Sequence, residues 1–155
     1  MVVLSDILTA GAVSASLSVA NRKALFVHFG AVAAREYGLD QHDVIERLTE
    51  RERLGSTGFG NGVAIPHGKV LGIDHVVGFF ARLADPIDFQ AIDDLPVDLA
   101  FCLLSPPDAG ADHLKALAHV SRWLRDPQFV AKLRGAGSDD AAFAIFSSAQ
   151  KRDAA

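Results

Sequence analysis

The sequence predicts an α/β fold: a single layered domain with a mixed, mostly parallel β-sheet of about five strands, flanked by helices on both faces. Three observations lead there. The run Val97-Asp-Leu-Ala-Phe-Cys-Leu-Leu104 is apolar on both faces, as strands in the middle of a covered sheet are. Segments with helical periodicity precede, separate and follow such runs. The 155 residues contain no internal repeat and no low-complexity linker, and that length is enough for one hydrophobic core. The domain is assigned to residues 1–150, and residues 151–155 to a frayed tail.

The elements follow from local pattern. Leu4 to Leu8 reads as a short capped helical turn, and Val13 to Val19 as a β-like run. Asn21 caps a helix over Arg22 to Tyr37, which turns Leu25, Phe26, Phe29, Val32 and Ala33 inward and ends at Gly38. Asp40 caps a second helix, Gln41 to about Arg53, with Val44, Ile45 and Leu48 on its apolar side. Val63-Ala64-Ile65 is a buried strand of three that Pro66 stops. His75 to Leu83 reads as a central strand, Asp85 to Phe89 as an edge or loop segment, and Val97 to Leu104 as the strongest strand. Helices then run from Gly110 or Ala111 to Arg125, from Gln128 to Arg134 behind Pro127, and from Ser138 or Asp139 to about Ser148.

Composition narrows the function classes. Half the residues are apolar and 22% are charged, the balance of an ordinary soluble globule. The formal net charge is -4 and the basic residues are scattered, which argues against nucleic acid as a partner. Cys102 is the single cysteine and lies in the apolar strand, so it reads as inert core and fits a reducing, cytoplasmic setting. Met1 to Ala20 lacks the basic start of a secretory leader and is interrupted by Asp6. No segment reaches the ~18 apolar residues of a membrane span, so membrane insertion is not expected.

The densest chemistry lies in Gly55-Ser-Thr-Gly-Phe-Gly-Asn-Gly-Val-Ala-Ile-Pro-His-Gly68, which holds five glycines in fourteen residues. Gly55 and Gly60 have P-loop spacing, but Asn61 and Gly62 stand where lysine and a hydroxyl residue would bind phosphate and magnesium. Asn61-Gly62 is a hairpin turn signal instead. A hairpin entry loop accounts for part of the glycines. It does not account for Ser56-Thr57 or for the Pro-His pair. Pro66 holds Ile65 extended and mounts His67 on a stiff element, with Gly68 leaving space beside it.

Six histidines are present, and none shares the i, i+4 spacing of a helical metal pair; no cofactor is implied. His28 reads as a packed or half-exposed side chain, and His42, His75 and His119 as solvated. His113 opens a helix whose N–H groups favour anions. It either packs beside Leu117 or meets His67 at the rim beyond the strand ends, where open sheets gather ligands.

Taken together, Glu50 to Gly68 is similar to the signature of the mannitol/fructose-type enzyme IIA domains of the bacterial phosphotransferase system. The unbroken run from Gly55 to Lys69 most resembles the nitrogen-regulatory branch. Asp88-Phe-Gln-Ala-Ile-Asp-Asp-Leu-Pro-Val-Asp-Leu99 resembles the family's middle segment. Asp112-His-Leu-Lys-Ala-Leu117 and the stretch Arg122 to Arg134 resemble its C-terminal helices. The resemblance implies that His67 accepts a phosphoryl group, that His113 is the second active-site histidine, and that Arg51 is the phosphate-stabilising arginine. Ser56, Thr57, Gly58, Gly60 and Asn61 are expected as further donors around the phosphate. The implied donor is an HPr-like phosphocarrier protein charged from phosphoenolpyruvate, and the implied targets are regulated proteins such as kinases or transporters. Without a transporter segment in this chain, regulation is expected ahead of sugar uptake. Three other roles stay open: a binding module that is never phosphorylated, an uptake component that passes phosphate to a IIB protein, and a histidine-dependent hydrolase.

Overall fold

The computed structural model describes the backbone of residues 4–154 and the side chains of Leu4 and of residues 6–149. In chain order the elements are α1 (Leu4–Ile7), β1 (Leu8–Leu17), α2 (Arg22–Tyr37), α3 (Gln41–Arg53), β2 (Gly58–Gly60), β3 (Val63–Ala64), β4 (His67–Lys69), β5 (Val77–Ile87), β6 (Val97–Ser105), α4 (Ala111–Leu124), α5 (Pro127–Arg134) and α6 (Asp139–Ala154). The expected helix starts have their physical cause in the caps. Asn21 accepts from the Ala24 N–H, Asp40 from His42 and Asp43, and Asp126 from Gln128 and Phe129. Gly38 ends α2 in the left-handed region at φ 68°.

The strands form one mixed sheet in the order β1-β5-β6-β3-β2, with β4 also on β6. β1 with β5, β3 with β6 and β4 with β6 are parallel; β5 with β6 and β2 with β3 are antiparallel. The longest pairing is therefore antiparallel. Its connection, residues 88–96, holds no helix and is too short for a parallel crossover. Helices cover both faces. Phe29 and Tyr37 of α2 pack on Phe79, whereas Phe146 of α6 packs on Phe80, and successive residues of a strand point to opposite faces.

Several boundaries differ from the sequence reading. The described residues contain six strands; β2 and β4 are additional to the runs read from the sequence, and the edge segment from Asp85 joins β5. The chain does not leave the sheet at Pro66. Ile65 and Pro66 interrupt one edge line along β6, where Pro66 supplies only its carbonyl, to the Leu103 N–H at 2.9 Å. His67 then resumes the pairing opposite Leu103. β1 begins at Leu8 rather than Val13. β5 runs from Val77 to Ile87, taking in Asp85 and Pro86 across a register shift. α6 continues past Ser148 to Ala154 along the segment read as a frayed tail; Ala155 lies outside the described residues.

Phe146 joins the layers. Its ring is 5.0 Å from Phe80, 5.6 Å from Phe101 and 5.5 Å from Phe129, and it is 1% exposed. Phe146→Ala should lower stability by about 3–5 kcal/mol in urea unfolding. A loss below about 1 kcal/mol would show that this side of the sheet is loosely packed.

Candidate active site

His67 is held by its backbone on β6 and by its ring on Ile65. Nδ1 lies 2.8 Å from the Ile65 carbonyl oxygen. A carbonyl only accepts, so Nδ1 carries the proton and Nε2 keeps its lone pair. Arg51 satisfies that lone pair: its Nε–H donates to His67 Nε2 at 3.2 Å, and its Nη1 donates to the Gly55 carbonyl at 2.9 Å. Arg51 lies in the last turn of α3, and the sharp exit through Leu54 and Gly55 folds that carbonyl back under the guanidinium.

His113, in the first turn of α4, is buried at 8% exposure. Its ring centroid lies 5.5 Å from that of His67, at 51°. Its Nδ1 is 2.6 Å from Ser105 Oγ. The meeting of the two histidines at one rim is thus realised. His67 and His113 line an open cavity of about 590 Å³ together with Arg47, Glu50, Arg51, Leu54 and Lys69. His67 and Arg51 also border a second cavity, of about 340 Å³, with Ser56, Thr57, Phe59 and Leu117.

Both imidazoles titrate below the ordinary histidine range. Burial is the main cause for His67; its bond to Ile65 opposes the shift, and the Arg51 charge adds to it. Burial also leads for His113, followed by the charges of His67 and Lys69. At neutral pH the site therefore presents two neutral imidazoles beside one guanidinium.

The glycine loop is tied to its surroundings by its own side chains and N–H groups. The Ser56 hydroxyl donates to the Phe89 carbonyl at 2.8 Å and accepts from the Gly58 N–H at 3.1 Å. Thr57 gives both its N–H and its hydroxyl to the Glu52 carboxylate. The Asn61 N–H goes to Asp93 at 2.9 Å. Asn61 and Gly62 (φ 58° and 81°) make the two-residue turn between β2 and β3, and Gly58, Gly60 and Asn61 line neither cavity at His67. These residues build and anchor a hairpin, and the Ser56 and Thr57 hydroxyls and the Thr57, Gly58 and Asn61 N–H groups are bonded within the protein. A Cβ at Gly58 would meet Ala91 at 2.9 Å, which is why the hairpin needs glycine there.

Two residues that sequence reasoning missed shape the site. Glu52 is 7% exposed and ties Thr57 to Arg22, whose Nη1 reaches it at 3.3 Å. It directly follows Arg51, so it pins the backbone on which Arg51 turns. A carboxylate inside a charged run gives no sign of burial in the sequence. Ser105 is the other. His28 is half-buried and His42 and His75 are exposed, as expected, whereas His119 is half-buried rather than solvated. Among the described residues, no group of three His, Cys, Asp or Glu side chains is placed to hold a metal ion, and no helix is long and apolar enough to cross a membrane.

This chain belongs to the EIIA type 2 family of the phosphotransferase system: the family model described as "Phosphoenolpyruvate-dependent sugar phosphotransferase system, EIIA 2" matches residues 6–149. Within that class it is similar to regulatory members. It is 43% identical over 144 residues to a nitrogen regulatory protein of Bradyrhizobium diazoefficiens, covering 93% of this chain and 94% of that protein. Its fold matches the crystal structure of the nitrogen regulatory protein IIA-Ntr of Neisseria meningitidis with a TM-score of 0.85 and 37% identity, over 91% of this chain and 97% of the other. The IIA mannitol protein of Escherichia coli shares the fold alone, with a TM-score of 0.73 at 17% identity over 89% of this chain and 97% of the other.

Two measurements check the site. In an NMR titration the His67 and His113 rings should show midpoints below about 6.5. The unfolded chain then binds more protons than the folded one as pH falls through 6.5, so folding stability should decline with acidification across that window. Midpoints at or above 6.5 would contradict the burial of the pair. Separately, Glu52→Ala should cost about 1–3 kcal/mol and speed amide exchange at Thr57; unchanged exchange there would show that the loop holds without it.

Proposed function

We propose that this chain is a cytoplasmic regulatory relay protein that accepts a phosphoryl group on His67 Nε2 from an HPr-like phosphocarrier and engages its partners according to that modification. The observation that carries the reading is the proton arrangement of His67. A backbone carbonyl holds the proton on Nδ1, which leaves the Nε2 lone pair facing a cleft shared with Arg51 and His113. The likeness to nitrogen regulatory proteins supports regulation over sugar uptake.

The chemistry balances with these groups alone. The Nε2 lone pair forms the new N–P bond while the P–N bond to the carrier's histidine breaks, and that electron pair stays on the carrier's imidazole. His67 then has both nitrogens substituted and carries positive charge, which strengthens its Nδ1–H bond to Ile65. Phosphoryl transfer is loose and rests on positioning and charge stabilisation. The Arg51 fork must exchange its bond to Nε2 for the phosphoryl oxygens, and His113, whose ring lies 5.5 Å from that of His67, supplies an N–H. Leu54, 84% exposed on the cleft wall, and Leu114, 67% exposed and next in sequence to His113, offer apolar ground for the docking carrier. Phosphorylation adds roughly -1.5 to -2 charge at that surface, so a partner covering His67 meets a different face in each state.

Incubation with phosphoenolpyruvate, the upstream enzyme and the carrier tests the reading. It should give an acid-labile, base-stable adduct that is lost in His67→Ala. Arg51→Ala should slow its formation by about 10²–10³-fold. A fully charged carrier that leaves wild type unmodified would make the chain a phosphorylation-independent binding module. Onward transfer to a sugar-specific IIB protein would move it to the uptake branch.

A further inference from the structure

The paired imidazoles are held by partners of opposite kind. Ile65 offers His67 a carbonyl, which only accepts. Ser105 offers His113 a hydroxyl, which can donate or accept, so the 2.6 Å separation alone leaves the direction open. Burial decides it. Ser105 is the last residue of β6 and is 0% exposed. Among the described residues its Oγ has one hydrogen-bond partner, His113 Nδ1. If Nδ1 carried the proton, the serine's own hydroxyl hydrogen would be sealed in the core with no acceptor. A buried donor left without a partner is the costly outcome, whereas an unused lone pair is tolerated. The hydroxyl therefore donates to Nδ1, and the proton of neutral His113 sits on Nε2.

We propose that Ser105 is a positioning residue for phosphoryl transfer: it locks the His113 ring with Nδ1 as acceptor and Nε2–H presented to a phosphoryl oxygen on His67. This deepens the phosphorelay reading and rests on it. The partner bound to one imidazole nitrogen sets what the other can do. The two rings are thereby set as opposites, with a lone pair on His67 Nε2 and a proton on His113 Nε2. That is the complementary pair a nucleophile and an oxyanion donor require. Both settings come from one strand pairing. Ser105 lies opposite Lys69 of β4 and its carbonyl accepts from the Val70 N–H at 2.9 Å, so the hydroxyl that orients His113 is registered to the strand that begins at His67.

Ring ¹⁵N–¹H spectra of the unphosphorylated full chain, followed by transfer kinetics with the charged carrier, test the assignment. Wild type should show His67 protonated at Nδ1 and His113 at Nε2, with the His113 Nδ1 resonance displaced by an accepted hydrogen bond. Ser105→Ala should return that resonance to its unbonded position. It should also lower kcat for transfer about tenfold with the carrier KM unchanged, and Ser105→Thr, which keeps the hydroxyl, should recover most of the loss. A proton on His113 Nδ1 in wild type overturns the proposal, and that spectrum needs no variant to fold. An unmoved Nδ1 resonance or an undiminished kcat in folded Ser105→Ala overturns it as well. If the tautomers are found as stated but His67 never takes phosphate, the relay reading is what fails.

Discussion

The hydrogen bond between His67 Nδ1 and the Ile65 carbonyl, 2.8 Å long, is the interaction on which the site depends. It spans only two residues, and Pro66 between them makes it possible. Proline fixes its own φ and holds the preceding residue extended. It also has no N–H to offer β6, so the regular pairing lapses at Ile65-Pro66, where only the Pro66 carbonyl accepts from the Leu103 N–H, and resumes at His67. The imidazole is thereby clamped by the sheet on both sides of the interruption.

The rest of the cleft is arranged around this ring, whose Nε2 keeps its lone pair. Arg51 occupies that lone pair without removing it. Burial discourages protonation of either histidine, which would remove the lone pair on His67 and set two cations side by side. The cost is that acid weakens the fold through the same groups. Glu52 and Ser105 stand behind Arg51 and His113 respectively, each buried, and each fixes a side chain that faces the opening.

The glycine-rich hairpin shows how a conspicuous motif can serve structure. Its turn needs positive φ at Asn61 and Gly62, and its flank needs the absence of a side chain at Gly58. Its hydroxyls close back on Phe89 and Glu52. The loop therefore acts on the chemistry through the placement of Arg51 and Ile65, whose carbonyl orients His67 and whose N–H donates to Thr57 at 3.1 Å.

The amino-acid sequence by itself determined the α/β class, the helices α2 to α5, three of them capped by a side chain, the strand from Val97 and the mount of His67. Those features depend on periodicity, capping side chains and proline geometry, all of which act within a few residues. A likeness spread along the chain named Arg51 and His113 as partners; helix position alone left His113 between packing and chemistry. Only the tertiary structure decided that the rings of His67 and His113 lie 5.5 Å apart, that His-Gly-Lys becomes a strand against β6, and that the loop donors are spent internally. It also decided which way the Ser105 hydroxyl must face. Each of these is set by what lies across the sheet or beneath the surface, and burial converts an ambiguous contact into a directed one.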